Sequence, residues 1–264
     1  MTILLILLGL FIGLKVAAFF GKEEQNIDDK NPYLHPELAE QVLPEDMQKY
    51  VNSRSEHKQR NIYEFFIKPV IDNVLSFLGL LLLSPVFILI VVAIKIDDPG
   101  PVFFMQNRLT RNKCFFRLHK FRSMKMSTPH DMPTHMLQNP EQYITRVGRF
   151  LRRSSLDELP QIWDIFRGKM SVVGPRPALW NQADLIAERD RWGANDVMPG
   201  LTGLAQISGR DQLEIEDKAE LDGIYTQQLR ESNSSGLIVD VKCFFGTLLP
   251  VLRSDGIVEG RQNR

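Results

Sequence analysis

Two long apolar runs, followed by shorter periodic ones, set the frame of this chain. Residues 1–20 are apolar apart from Lys15, and the 22 residues from Asn73 to Ile94 carry no charge. The second run is long enough to cross a bilayer as a helix. Lys58, Arg60 and Lys68 precede it and Lys95 follows, so the positive-inside tendency puts both of its ends in the cytoplasm. Ser84-Pro85 stands at its middle. Proline removes one backbone donor and crowds the preceding turn, which predicts a sharp bend. The serine hydroxyl is placed to satisfy the carbonyl so freed. A kinked transmembrane helix accounts for the length and the proline. A re-entrant helix over 68–95, bent at Ser84 and Pro85 and returning to the face it entered, accounts for the flanking charges as well. The first run has no basic start and no small-residue cleavage site, so residues 1–21 read as a retained membrane anchor.

Between the two runs, residues 22–61 are polar and interrupted by Pro32, Pro36 and Pro44. They predict a polar, solvated linker with a short helix near 44–55. PVFFMQN (101–107) and CFFRLHKF (114–121) are aromatic-rich and flank a polar segment containing Asn112, which predicts a β-hairpin with a left-handed turn residue. Three prolines within 127–140 predict a loop. EQYITRVGRFLRR (141–153) places Tyr143, Ile144, Val147, Phe150 and Leu151 on one helical face, bordered by Arg146, Arg149, Arg152 and Arg153. That pattern suits a helix in the lipid headgroup region and equally a surface helix packed on a protein core. Leu237, Ile238, Val241, Phe244, Phe245, Leu248 and Leu252 repeat the helical period, for a helix that lies on the membrane or closes the core. The expected fold class is α+β and helix-dominated. It combines the re-entrant helix, a small β-hairpin and amphipathic interfacial helices, within a domain spanning 62–264.

Charge sharpens this picture. The formal net charge is zero, but Phe104 to Arg153 holds eleven Lys/Arg against two acids, and Asp184 to Glu231 holds eleven acids against five bases. Such segregation suggests an anionic partner: phosphate, nucleic acid or a membrane surface. Cys114 and Cys243 have no metal-type spacing and make a disulfide framework improbable.

The candidate chemistry begins at RRSSLDELPQ (152–161), where Asp157 and Glu158 follow two arginines. Ser155 and Glu158 match a capping box; alternatively Pro160 takes the first helical position, with both acids on the approach. Either arrangement sets the acids at a helix start among arginines, which suits a carboxylate acting as nucleophile or metal ligand. GKMSVVGPRPALW (168–180) reads as a turn, a short strand and Gly174-Pro175-Arg176-Pro177. Two prolines bracketing an arginine present a guanidinium at little ordering cost, as bidentate phosphate contact requires. PGLTGLAQISGR (199–210) has three glycines whose backbone can approach a phosphate closely, yet it matches no Walker or Rossmann pattern. No D-x-D pair is present, and the five histidines show no zinc spacing.

In order, Ser84-Pro85, DPGPVFF (98–104), KFRSM (120–124), FLRRSSLDELPQ (150–161), MSVVGPRP (170–177) and PGLTGLAQISGR (199–210) resemble the bacterial sugar transferases, the monotopic polyprenyl-phosphate phosphoglycosyltransferases. The resemblance covers roughly residues 64–260. It implies transfer of a sugar-1-phosphate from a UDP-sugar to polyprenyl (undecaprenyl) phosphate with Mg²⁺, at the cytoplasmic face of the bacterial inner membrane. The partners it implies are those substrates and membrane lipids, with no nucleic acid. Asp157 matches the family's nucleophile, and Glu158 would support metal binding, as would Asp157, or proton handling. Arg152 and Arg176 match phosphate-contacting arginines; Lys120 and Arg122 join them as substrate-binding candidates. Gly209 and Arg210 match the nucleotide region. The pattern lapses at Pro140-Glu141-Gln142-Tyr143, where many members have Asp-Pro-Arg, so no role carries over to residues 127–140. Two rival functions are a membrane-associated glycosyltransferase that releases UDP and a non-catalytic nucleotide-sugar-binding scaffold.

Overall fold

The computed structural model describes residues 27–51, 59–128, 140–209 and 213–252. The expected anchor at 1–21, residues 129–139 of the proline-rich loop, and Arg210 lie outside the described residues.

The apolar run forms one helix. A π-helical turn, Tyr63–Ile67, leads without a break into a 30-residue α-helix, Lys68–Asp97. It runs through Pro85 uninterrupted. The carbonyl that Pro85 deprives of its usual donor four residues on is that of Leu81, and Ser84 Oγ donates to it at 2.8 Å. Val74, Leu78, Leu81, Leu82, Ile88 and Leu89 are exposed on its outer flank. Among the described residues, this is the one helix long and apolar enough to cross a membrane.

The same helix is fastened to the rest of the domain at both ends. Near its start, Lys68 Nζ donates to Asp240 Oδ2 at 2.6 Å, and Asp72 accepts from Ser171 Oγ at 2.7 Å and Val172 N at 3.0 Å. One residue on, Asn73 Nδ2 donates to the Phe166 carbonyl at 3.1 Å, and nearer the middle Phe87 packs edge-on to Phe121 at 5.3 Å. At its end, Asp97 Oδ2 accepts from Val147 N at 2.8 Å, while Asp98 Oδ2 accepts from Arg122 Nη1 at 2.8 Å and Met126 N at 3.2 Å. The two ends of a helix about 45 Å long therefore reach one body.

The hairpin follows as expected. Strands β1 (Phe103–Leu109) and β2 (Phe115–Phe121) pair antiparallel with Phe103 opposite Phe121 and Leu109 opposite Phe115. Asn112 does occupy the left-handed region, at φ 57°. A second two-stranded sheet pairs β3 (Ser171–Val173) in parallel with β4 (Gly200–Thr202). Here the glycines serve close packing of two backbones. A Cβ on Gly200 would sit 2.0 Å from Gly174 N, and one on Gly174 would sit 2.2 Å from Met198 O.

One sequence expectation changes and two that were left open are refined. First, the described part of the linker is not solvated. Beside two short helices, Ala39–Val42 and Glu45–Gln48, it buries Tyr33, Ala39, Leu43 and Val51 against Leu109, Phe115, Ala183 and Ile186. Its polar side chains serve as backbone caps: Phe115 N donates to Asp28 Oδ1 at 2.6 Å, Asn31 Nδ2 to the Lys113 carbonyl at 2.7 Å, and Tyr33 Oη to the Trp180 carbonyl at 3.0 Å. Second, the arginine-rich helix is only Arg146–Arg153, and its apolar face divides. Leu151 is buried with Ile90, Ile94 and Phe121, whereas Phe150 points outward among the exposed Arg146, Arg149 and Arg153. Third, in the last helix, Asn233–Leu252, the core face is Val239, Asp240 and Cys243. Leu237, Ile238, Val241, Phe244 and Phe245 are on its exposed side. Period alone could not distinguish the faces, because the buried one carries Asp240. That carboxylate accepts from Tyr63 Oη and Tyr225 Oη, each at 2.8 Å, as well as from Lys68.

Candidate active site

Asp157 and Glu158 lie in a 3-10 turn, Leu156–Glu158, just before the helix Gln161–Phe166. The capping box is not formed. Ser155 takes a left-handed conformation, φ 55°, and its side chain caps nothing, whereas an N-cap residue needs extended backbone angles. Pro160, with helical angles, instead leads into the helix. Asp157 is buried, 9 % exposed.

Freed from capping, the Glu158 side chain bridges two cations. Its Oε1 accepts from Lys120 Nζ at 2.8 Å and from Arg176 Nη2 at 2.7 Å. Burial by itself raises a carboxyl, but Arg176 and Lys120 outweigh it and hold Glu158 well below the ordinary carboxylate range. Three residues from three separate segments thus meet: Lys120 from β2, Glu158 from the acidic turn, and Arg176 from the turn after β3. Arg176 keeps 44 % of its side chain exposed, so this cluster faces solvent through its guanidinium.

The other sequence candidates lie elsewhere. Arg122 is buried in the joint below the apolar helix, where it donates to the Asp98 carboxylate and carbonyl. Arg152 Nε donates to Ser123 Oγ at 2.9 Å, three positions beyond Lys120 on the same segment. Gly209 ends the short helix Leu204–Ser208, where an added Cβ would stand 3.0 Å from the Leu213 side chain. Ser84 and Pro85 are on the apolar helix, where the serine repairs the proline's missing hydrogen bond.

Sequence reasoning missed the residues beneath Arg176. Arg108, on β1, donates from Nη1 to the Pro177 carbonyl at 2.9 Å and from Nη2 to Gln106 Oε1 at 3.0 Å. Arg189, on the helix Ala183–Trp192, donates from Nη1 to the Arg176 carbonyl at 2.9 Å. Its Nε and Nη2 both reach Asp222 Oδ2, at 2.8 and 2.6 Å. An arginine inside a strand that otherwise reads as hairpin, and an arginine on a helix of mixed charge, were the only signals. Neither points at a partner.

Among the described residues, no group of three or more His, Cys, Asp or Glu side chains could hold a metal ion. Mg²⁺ commonly takes only one or two carboxylates, with substrate phosphates and water completing its shell. Asp157 fits that role as a hard oxygen donor one residue from the carboxylate that gathers Lys120 and Arg176. Glu158 fits it less well, because Oε1 already accepts from two cations.

Residues 63–254 match the model of the bacterial sugar transferase family. The UDP-glucose:undecaprenyl-phosphate glucose-1-phosphate transferase of Xanthomonas campestris pv. campestris is 39% identical over 161 residues, which are 60% of this chain and 33% of that protein. The exopolysaccharide production protein ExoY of Sinorhizobium fredii is 33% identical over 199 residues, covering 70% of this chain and 85% of its own. The UDP-N-acetylgalactosamine-undecaprenyl-phosphate N-acetylgalactosaminephosphotransferase of Aeromonas hydrophila is 33% identical over 200 residues, 72% of this chain and 45% of its own. The chain thus spans about a third of the length of the glucose-1-phosphate transferase it matches. With a family match over most of its length, and with the acidic turn, Lys120 and Arg176 inside the matched region, this chain belongs to the bacterial sugar transferases.

Proposed function

We propose that this protein transfers a sugar-1-phosphate from a UDP-sugar to polyprenyl phosphate, through a covalent intermediate on Asp157, and so initiates a surface polysaccharide or glycoconjugate. The meeting of Lys120, Glu158 and Arg176 beside Asp157 carries this reading. A buried carboxylate in a turn flanked by held cations suits attack on an anionic phosphorus, where repulsion between two anions must be offset.

In the first step an Asp157 carboxylate oxygen bonds to the donor phosphorus that bears the sugar, and the bond from that phosphorus to the bridging oxygen breaks. UMP leaves with that electron pair. In the second step an oxygen of polyprenyl phosphate attacks the same phosphorus, the aspartyl oxygen–phosphorus bond breaks, and the carboxylate is restored. Splitting one hard displacement in two is the gain from a covalent nucleophile. Arg176, reaching outward from a rigid turn, takes the donor's phosphates. Glu158 keeps Arg176 and Lys120 together and stays ionised through the cycle. Mg²⁺ held by Asp157 and the donor would neutralise charge on the non-bridging oxygens.

The same fold supports a membrane geometry for this reading. A helix tied to one polar body at Asp72 and again at Asp98 is suited to dip into one leaflet with both ends on the cytoplasmic side. The exposed apolar flank of that helix, Phe150 among its arginines, and the outward Phe244 and Phe245 suit an interfacial seat at the depth of a lipid phosphate. That seat is on the cytoplasmic face of the inner membrane. The sugar stays open, since the matched relatives' names specify glucose and N-acetylgalactosamine.

The covalent step is tested by a single-turnover pulse with a UDP-sugar labelled in the sugar-bearing phosphate, without lipid acceptor. Label on the Asp157 peptide that is chased to lipid on adding polyprenyl phosphate is the expected result. Label reaching lipid with none ever on protein would overturn it.

A further inference from the structure

The backbone around Arg176 is held more completely than two prolines require. Five successive carbonyls each accept one hydrogen bond, and the donors come from four places in the fold. Gly174 O accepts from Gln206 Nε2 at 3.5 Å and Pro175 O from Gly200 N at 2.8 Å. Arg176 O accepts from Arg189 Nη1 and Pro177 O from Arg108 Nη1, both at 2.9 Å. Ala178 O accepts from Leu109 N at 3.0 Å. Pro175 and Pro177 have no N–H, so the carbonyls are the handles by which this turn can be gripped.

Two of those grips are guanidiniums, and both are themselves oriented. Asp222 is fully buried and takes two bonds from Arg189, which leaves Nη1 directed at Arg176 O. Burial raises the Asp222 carboxyl while Arg189 opposes the rise. Gln106 holds the second nitrogen of Arg108. Burial, and then Arg176, lower the Arg108 pKa to about 9, so it remains a cation at neutral pH. Placing Arg108 under a second cation, Arg176, costs Coulomb energy, and a neutral donor would serve a purely structural turn with less repulsion.

We propose that Arg108 and Arg189 are positioning residues: by gripping the carbonyls of Pro177 and Arg176 they fix the Arg176 guanidinium at the place where it meets the donor's diphosphate. This rests on Arg176 being a donor contact. The grip settles the ordering of Arg176 before substrate arrives, so the loss on removing it appears in donor affinity and is transmitted only through the Arg176 side chain. A lysine at either position keeps the charge but cannot reach two acceptors in one plane as a guanidinium does.

The test is a double-mutant cycle on the full chain in lipid nanodiscs, reading UDP affinity by calorimetry together with Tm. Arg108→Gln and Arg189→Lys are each made alone and with Arg176→Ala. Each is expected to weaken UDP binding by about tenfold or more in the parent protein and by no more than about twofold when Arg176 is already alanine. Equal losses in both backgrounds would overturn the proposal and leave the two arginines as packing groups. If Arg108→Gln lowers Tm too far to study, Arg108→Lys is read by the same cycle. A parent protein that binds no UDP overturns the donor assignment of Arg176, and the positioning role with it.

Discussion

Arg176 Nη2 donates to Glu158 Oε1 at 2.7 Å, across 18 positions of sequence, and Lys120 donates to the same oxygen at 2.8 Å. One carboxylate oxygen therefore holds two cations that would otherwise repel. The pair gives the basic run a structural reason for the acid set after it: Glu158 gathers Lys120 and Arg176 at one point beside Asp157.

Glu158→Gln should separate the two cations and lower turnover by about a hundredfold, the order found when one transition-state electrostatic group is lost. It also has a pH signature. The Glu158 carboxyl is lowered from its ordinary value of 4.5, so folding favours its ionised form. Its contribution to stability is fully present above that value and disappears as pH falls through the folded one. The Tm gap between parent and Glu158→Gln is expected to stay level from about pH 8 to about pH 5 and to shrink in stronger acid. A gap that widened in acid would contradict the ion-pair account.

Asp157→Asn is expected to lower turnover by about three orders of magnitude or more while UDP affinity changes little, because it removes the proposed nucleophile and not the proposed phosphate contacts. Turnover close to the parent's would exclude Asp157 as the attacking group.

Asp72→Ala should destabilise the joint between the apolar helix and the body. It leaves Ser171 Oγ and Val172 N, now at 2.7 and 3.0 Å from the carboxylate, without an acceptor in a buried place. Two unsatisfied donors cost about 3 kcal/mol together, which a chemical denaturation series in one detergent would resolve. An unchanged midpoint would mean that the helix is not held there.

Gly200→Ala is expected to prevent folding or to lower Tm severely, since the added Cβ would stand 2.0 Å from Gly174 N and part the two strands. The same expectation separates packing from phosphate binding: a well-folded Gly200→Ala protein with weak UDP affinity would return that glycine to a substrate role.

What the sequence made legible was local. The hairpin followed from two aromatic-rich runs flanking the polar segment with Asn112, the short strand before Gly174 from its flanking turns, and the length of the apolar helix from its lack of charge. Each signal lies within about twenty residues of its consequence. Arg108, Arg189 and Asp222 were not legible, because an arginine's partner is set by tertiary placement and no spacing announces it. The segment 27–51 misled for a related reason. Its prolines and polar residues read as a solvated linker, yet Asp28, Asn31 and Tyr33 cap backbone groups of the hairpin and of the turn after Arg176. In the final helix the apolar period was real but belonged largely to the outward face, because the inward one buries Asp240.

The central claim, that phosphate travels with the sugar, is tested most directly by the nucleotide released. Purified full-length protein in lipid nanodiscs is incubated with polyprenyl phosphate, Mg²⁺ and a panel of UDP-sugars, and the products are resolved by mass. UMP formed in equal amount with a polyprenyl diphospho-sugar is the predicted result, and the productive donor names the sugar. UDP formed with a polyprenyl monophospho-sugar would contradict the account, since the sugar alone would then have moved and Asp157 would have no phosphorus to attack.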